Sequence, residues 1–537
     1  MASQLSNIDS AIAAFKEALG DANVIVEQHD IEPYQRTTFQ WQTTIPAALR
    51  PANVAEVQRC LGIANTFKVP LYPISTGLNT GYGSAAPVTP GSVVMELKRL
   101  NRILEYNADL GYVRIEPGVT QQQLFDYLQA HNAPYWLDVT GSYPHHSLIG
   151  NIAERGFGHT AYADHYAQIG GFKVVLPNGD LLSTGFGQYD NAKATGVYRW
   201  GVGPHYDGLF TQSNLGVIVE ATLWLMPKPE YAQFFSCRIE HDEDLPTLIE
   251  LLRPLRLDGT VRSAMHIGND YKMISAIQGY PWQEAKGVTP LPAEVLRAKV
   301  KAWDCGPWNV SGALYGTRAT VADARRRLKR QLRGKVKRLQ FLDQRLLGLV
   351  ERFARPYQWL TGVNLPELMK VLKPVFGMTQ GVPSIAMLPS NYWRKKEFPA
   401  ASSDLSPERD NCGVMWLTPV APTSGAHTAA IWAIVKTTML KHCYEPSVSI
   451  TLISERCIDC VVNIAYDREV PGEDQRAMAC HDDMLKQLCE AGYYPYRLGI
   501  QALAKMPPKS AAYDSFFKSL RAALDPNGIL APGRYLP

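Results

Sequence analysis

The chain has 537 residues, 46% hydrophobic and 19% charged, the balance of a folded globular protein rather than a disordered one. Its 54 Lys and Arg against 50 Asp and Glu leave a net charge of +4, too small an excess for a dedicated nucleic-acid binder. The nine cysteines are odd in number and irregularly spaced, which does not describe a disulfide framework and suits reduced thiols in a cytoplasmic protein.

In chain order, Ile8, Ile12, Phe15 and Leu19 recur at helical spacing, so the N-terminus reads as an amphipathic helix and not as a signal peptide. Val54 to Phe67 is a second helix, with Val54, Val57, Leu61 and Ala64 on one face. Pro70–Ile74, Ser92–Leu97 and Tyr112–Ile115 read as strands, and Val119–Ala130 as a helix. Gly171–Leu176 and Asp180–Ser183 flank Pro177-Asn178-Gly179, a hairpin signal. Val217–Trp224 is a strand closed by Pro227 and Pro229.

A second unit begins near Tyr231. It carries a helix over Asp244–Leu255, a strand over Trp308–Tyr315 and a long basic helix over Thr320–Lys337. Val448–Ile453 and Asp459–Tyr466 are further strands, and Asp474–Ala491 is a helix stopped by Gly492. Strands mixed with helices in this order predict an α+β fold on an antiparallel sheet. No run of about 18 apolar residues is present, so no membrane-spanning helix is expected.

Three glycine-rich segments carry chemistry. The first, Pro73-Ile-Ser75-Thr76-Gly77-Leu78-Asn79-Thr-Gly81-Tyr82-Gly83, follows an extended run and lets backbone N–H groups approach an anion. It has neither the G-x-G-x-x-G spacing nor a P-loop lysine. The second runs from Gly150 and Asn151 through Glu154, Arg155 and Gly158 to His159. The third runs from Gly208 through Asn214 and Gly216 to Ile218. Each alone is consistent with a plain turn. Two such loops separated by a βα-like stretch can clamp a pyrophosphate.

These segments, with Pro51–Gln58, the run Glu116-Pro-Gly-Val-Thr120, Gly201–Phe210, Leu223–Pro227 and the tail Asp525–Gly533, resemble the vanillyl-alcohol oxidase and p-cresol methylhydroxylase family. The resemblance implies a flavin domain of two α+β subdomains over residues 1–230 (core about 42–228), a cap over 231–490 and a C-terminal segment, 491–537, that returns to the flavin domain. It implies FAD, held by Pro73, Ser75, Thr76, Gly77, Leu78, Asn79, Gly150, Asn151, Glu154, Arg155, Gly158, Asn214, Gly216, Ile218, Val414, Trp416 and Arg534. It implies a homo-oligomer, dimer or higher, and no membrane or nucleic-acid partner.

In this family a para-substituted phenol binds as phenolate, held by two Tyr and an Arg. It loses a benzylic hydride to flavin and passes through a quinone methide. Tyr82, Tyr496 and Arg497 match those positions. The sequence also departs from the pattern. The family's other phenolate-side Tyr is His159 here, which could donate to an oxyanion, act as acid or base near neutral pH, or be a structural His. The acidic residue that serves as base in the oxidases falls at Ser142, with Asp138, His145 and His146 nearby. The family's two His near the flavin ring become Asp459 and Cys460, and Asp459 joins His159 as an acid/base candidate. Cys457 and Cys460 are spaced to point to opposite faces of a strand, which argues against a disulfide.

The oxidases' flavin-anchoring His falls at Val414, and the methylhydroxylases' anchoring Tyr at Ser406. Non-covalent FAD is therefore expected, with Cys412 as an outside candidate for a link. The sequence thus predicts an FAD-linked oxidase or dehydrogenase acting on a para-substituted phenol or aromatic alcohol. The alternatives are a dehydrogenase subunit passing electrons to a cytochrome, which Ser142 and Trp416 favour, and a biosynthetic relative acting on a non-phenolic compound.

Overall fold

The computed structural model describes residues 2–361, 364–398 and 404–536. The helix at the N-terminus runs Ala2–Leu19 and buries Ala11, Phe15 and Leu19 against the Val54–Phe67 helix and a small sheet. That sheet orders Val24–Ile25, Ala48–Leu49, Val93–Glu96 and Leu71–Ile74, its last three strands parallel. Val54–Phe67 starts where the Asn53 side chain accepts the Glu56 N–H, the cap its first turn requires. A second, antiparallel sheet orders Ile103–Asn107, Tyr112–Ile115, Val217–Trp224, Ile169–Val175 and Leu181–Ser183.

The largest sheet is antiparallel and eight-stranded. Its order is Lys337–Leu342, Tyr231–Ile239, Trp308–Gly316, Met265–Asn269, Ser447–Leu452, Cys457–Asp467 and Cys412–Leu417, with Val420–Pro422 also paired to Cys457–Asp467. Alternation along each strand gives the sheet two faces. Phe235, Val310, Ile267, Ile450 and Cys460 join an apolar core with Leu248 and Leu252 of the Leu245–Leu257 helix and Val435 of Gly425–Lys441. The other face carries Phe234 and Val461 and, between them, the sheet's polar row. Gln340, Ser236, Ser311, His266, Thr451 and Asp459 are successive cross-strand partners and form one row across six strands. A sheet that keeps such a row off its apolar core is one that faces a cavity.

One expected element differs. The basic helix spans Arg318–Leu332, not Thr320–Lys337. Gly334 takes a positive φ of 70°, the chain reverses, and Lys337–Leu342 becomes the edge strand. Its alternating Leu339 and Phe341 carry the strand period that the charge run obscures. Nearer the C-terminus, Leu530 bridges to Leu71, and Leu71 N–H donates to Ile529 O at 2.7 Å. This pairing sets Arg534 and Tyr535 beside the first glycine loop's strand.

Candidate active site

Two cavities meet. A groove of about 170 Å³ is lined by Pro73 to Asn79, Gly150, Glu154, Gly216, Ile218, Arg497 and Arg534. A larger cavity of about 450 Å³ lies over the face of the eight-stranded sheet that carries the polar row. Leu78, Asn79, His146 and Arg497 line both, so the two are continuous through the first glycine loop.

That loop leaves the strand Leu71–Ile74 at the groove. Among the described hydrogen bonds, none uses the backbone N–H of Ser75, Thr76, Gly77, Leu78 or Asn79 as donor. Five consecutive unspent donors in a partly buried segment call for an acceptor from outside the chain. Opposite them, Ser147 Oγ accepts the Gly150 N–H at 2.9 Å and caps the helix Leu148–Ala153. A Cβ on Gly150 would overlap Ser75 Oγ and push that side chain aside, so glycine lets this helix approach the loop closely.

The loop then turns tightly. Tyr82 N–H and Ser84 N–H both donate to Asn79 O, at 3.1 and 3.0 Å. Gly81 has φ of 77°, and a Cβ there would enter the Trp416 indole. Ile500 N–H donates to Tyr82 O at 3.0 Å. The turn therefore fixes Tyr82 against the segment that carries Tyr496 and Arg497, more than 400 residues later in the chain.

Arg497 and Arg534 share one carboxylate. Glu154 pairs with Arg534 and lies 3.5 Å from Arg497 Nε, and Tyr535 OH donates to it at 2.7 Å. Burial opposes the Glu154 charge, but Arg534 and then Arg497 hold its carboxyl below the usual range. The Arg497 guanidinium lies 4.3 Å from the Tyr82 ring centroid and donates to Asn79 Oδ1. Two cations against one anion leave this buried cluster with an excess positive charge. Burial pushes the Tyr82 and Tyr496 hydroxyls up, so both are neutral donors.

Two titratable side chains read from sequence behave differently from each other. His159 lines the larger cavity, with its ring centroid 4.4 Å from that of His266. Burial lowers its pKa to about 4, so it is a neutral imidazole and not a group poised near neutral pH. Its backbone N–H donates to Asp138 Oδ1 at 2.9 Å. Asp459 is buried at the end of the polar row and lines neither cavity. Burial and then Asp164 raise its carboxyl to about 7, and its charge bears on Tyr82 and Tyr496.

The remaining sequence candidates divide. Asn151 and Trp416 line the larger cavity. Arg155, Gly158, Asn214 and Val414 line neither. Arg155 donates to Thr211 Oγ1 at 3.2 Å. Gly158 gives Asp138 the room that a Cβ would take. The Asn214 amide donates to Ala531 O and Leu536 O, at 3.2 and 3.4 Å, and ties down the tail. Val414 and Cys412 are both buried in one apolar cluster. Ser142 lines the larger cavity, His146 lines both, and His145 is exposed. His266, Lys272 and Thr418 line the larger cavity and were not singled out by sequence. A lone Lys on an apolar helix was the available signal for Lys272.

Residues 45–185 match the family model described as FAD binding domain. The chain is 42% identical over 529 residues to 1'-carboxy-chondrochloren decarboxylase of Chondromyces crocatus, covering 98% of this chain and 97% of that protein. It is 30% identical over 531 residues to the 4-cresol dehydrogenase [hydroxylating] flavoprotein subunit of Pseudomonas putida, covering 98% and 95%. The fold superimposes on a crystal structure of p-cresol methylhydroxylase with substrate bound at a TM-score of 0.88 and 29% identity, over 99% of this chain and 97% of that one. The glycine-loop groove, the eight-stranded sheet and full-length identity to a relative coincide, and the chain belongs to the vanillyl-alcohol oxidase and p-cresol methylhydroxylase family of FAD-linked oxidoreductases.

Proposed function

We propose that this enzyme binds a para-substituted phenol as its phenolate in the larger cavity and oxidises the carbon attached to the ring. The observation that carries this is the buried Tyr82–Arg497 pair. Arg497 lies 4.3 Å from the Tyr82 ring and belongs to a cluster with one more cation than anions. A phenolate oxygen supplies the missing anion, with Arg497, Tyr82 and Tyr496 as its donors.

The groove fits FAD. Ser75 to Asn79 offer free N–H donors to a pyrophosphate, and Arg534 lines the same groove. Cys412 and Val414 line neither cavity and lie behind Leu78 and Trp416 in a buried apolar cluster, which supports a non-covalent cofactor. The proposed division is a flavin unit over 1–230, a cap over 231–490 and a returning tail over 491–537. Bound FAD supplies a two-electron oxidant that accepts the hydride. The chain's own residues do the rest. Arg497 with the two Tyr holds the phenol deprotonated, which pushes electron density toward the leaving hydride. The charge of Asp459, whose carboxyl is raised to about 7, bears on Tyr82 and Tyr496, which supports it as the acid/base partner of that pair. The neutral His159–His266 pair lines the wall without adding charge.

A second reading concerns how the quinone methide resolves. Water can add to it. If the neighbouring carbon bears a carboxylate, the C–C bond can instead break, its electron pair returning to the ring as phenolate while CO₂ leaves. The 42% identity to a protein named as a decarboxylase favours that course.

Both courses share the first step, so one experiment tests them together. Mixing the FAD-loaded protein anaerobically with 4-ethylphenol should bleach the flavin's visible band. Readmitting air then separates oxygen from a protein such as a cytochrome as electron acceptor. Flavin that stays oxidised with every para-alkylphenol would overturn the phenol assignment. Acid precipitation should release the flavin into solution.

A further inference from the structure

Lys272 is the one cation lining the larger cavity for which no ion pair is described. The lining residues include four cations, Arg238, Lys272, Arg338 and Arg497, and one carboxylate, Asp304. Asp304 is already engaged, 2.8 Å from Arg238 Nη1 and 3.4 Å from Arg338 Nε. Arg497 shares Glu154. Lys272 has only neutral company among the described residues. Its Nζ is 3.3 Å from Ser390 Oγ and 5.4 Å from the Trp416 ring centroid.

The local sequence explains how it comes to point inward. Asn269 caps the helix Asp270–Ile277. Met273, Ala276 and Ile277 of the same helix line the cavity beside Lys272. A lysine ordinarily snorkels to water, and an ammonium held in an apolar wall without an anion is costly. Burial alone lowers its pKa, to about 8, so the ammonium form still predominates at neutral pH. Trp416 links the two ends of the site. Its ring abuts Gly81, next to Tyr82, and Lys272 sits over it.

We infer that Lys272, its Nζ held by Ser390 Oγ, is the cation of a carboxylate subsite, and that the natural substrate is a para-substituted phenol whose side chain ends in, or carries, a carboxylate. The inference rests on the phenolate reading for the far end of the substrate. The anion supplies the partner that Lys272 lacks, and the ammonium fixes the side chain against the Trp416 face. A carboxylate is also the group that a decarboxylating course consumes.

The test uses the FAD-loaded enzyme and two ligands without a benzylic sp³ C–H, trans-4-hydroxycinnamate and its primary amide. Each is titrated against the flavin visible band. Wild type should bind the acid tighter than the amide by about tenfold or more, the strength of a charge-assisted hydrogen bond. Lys272→Met should erase that preference and leave amide affinity unchanged, and Lys272→Arg should restore most of it. Equal binding of acid and amide by wild type overturns the subsite, as does a preference that survives Lys272→Met. So does a Lys272→Met protein that loses both ligands equally with a shifted flavin spectrum, since Lys272 would then serve the cofactor. Arg497→Met separates the two ideas. It should weaken acid and amide alike. If it weakens neither while Lys272→Met still erases the acid preference, the phenolate reading falls and the subsite stands.

Discussion

Replacing Arg497 with methionine is expected to slow anaerobic reduction of the flavin by a para-alkylphenol by about 100- to 1000-fold, the loss typical of one donor removed from an oxyanion site. Methionine keeps much of the packing against Tyr82 while deleting the charge. Glu154 keeps Arg534 as its partner, so the folded cluster survives with one cation and one anion. The phenol then meets two neutral hydroxyls, both pushed up by burial, and nothing charged to stabilise its anion. Stopped-flow absorbance at the flavin band measures the effect. A reduction rate within a few-fold of wild type would place the phenol oxygen elsewhere.

The second large effect is on stability. Glu154→Gln removes the carboxylate that faces both Arg534 and Arg497 and leaves two buried cations without an anion. Breaking such an arrangement from one side costs about 3 kcal/mol or more, to be read from urea unfolding of the FAD-free protein. The pH dependence has a definite sign. The folded-state pKa of Glu154 is lowered from its ordinary value of 4.5. Its contribution is therefore fully present above that ordinary value and is lost as pH falls through the lowered folded value. Wild type should lose this increment under acid conditions, and Glu154→Gln should lack that part of the acid dependence. An unchanged acid profile in the variant would show that Glu154 is not the linking group.

Much of this arrangement was legible in the sequence, because its parts are backbone devices with local signatures. Gly77, Gly81 and Gly150 mark loops where the chain must approach another group closely, and these loops line the groove or border the larger cavity. The strand Val217–Trp224 and the helix Val54–Phe67 follow from periodicity alone. What local patterning could not reach is set by pairing between distant segments. The polar row from Gln340 to Asp459 exists only once six strands align in register. His266 reaches the site through that row. Asn214 lies in a glycine-rich segment yet serves the C-terminal tail, because the tail folds back over it. The helix expected over Thr320–Lys337 stops at Leu332, because pairing of Lys337–Leu342 with Tyr231–Ile239 outweighs the charge pattern. Lys272 carries only the weak signal of a lone Lys on an apolar helix, and its place is plain once Met273, Ala276 and Ile277 are seen in the cavity wall.

The ionisation state of a bound phenol tests the phenolate site most directly. 4-Hydroxyacetophenone has no benzylic hydrogen to give up, and its phenolate absorbs at longer wavelength than its phenol. It should be titrated with FAD-loaded enzyme at a pH about two units below its solution pKa, where a cationic site must supply the stabilisation to ionise it. Wild type should bind it with the phenolate band, and Arg497→Met should lose that band. A ligand bound to wild type with the spectrum of the neutral phenol would contradict the assignment of Tyr82, Tyr496 and Arg497 as a phenolate site.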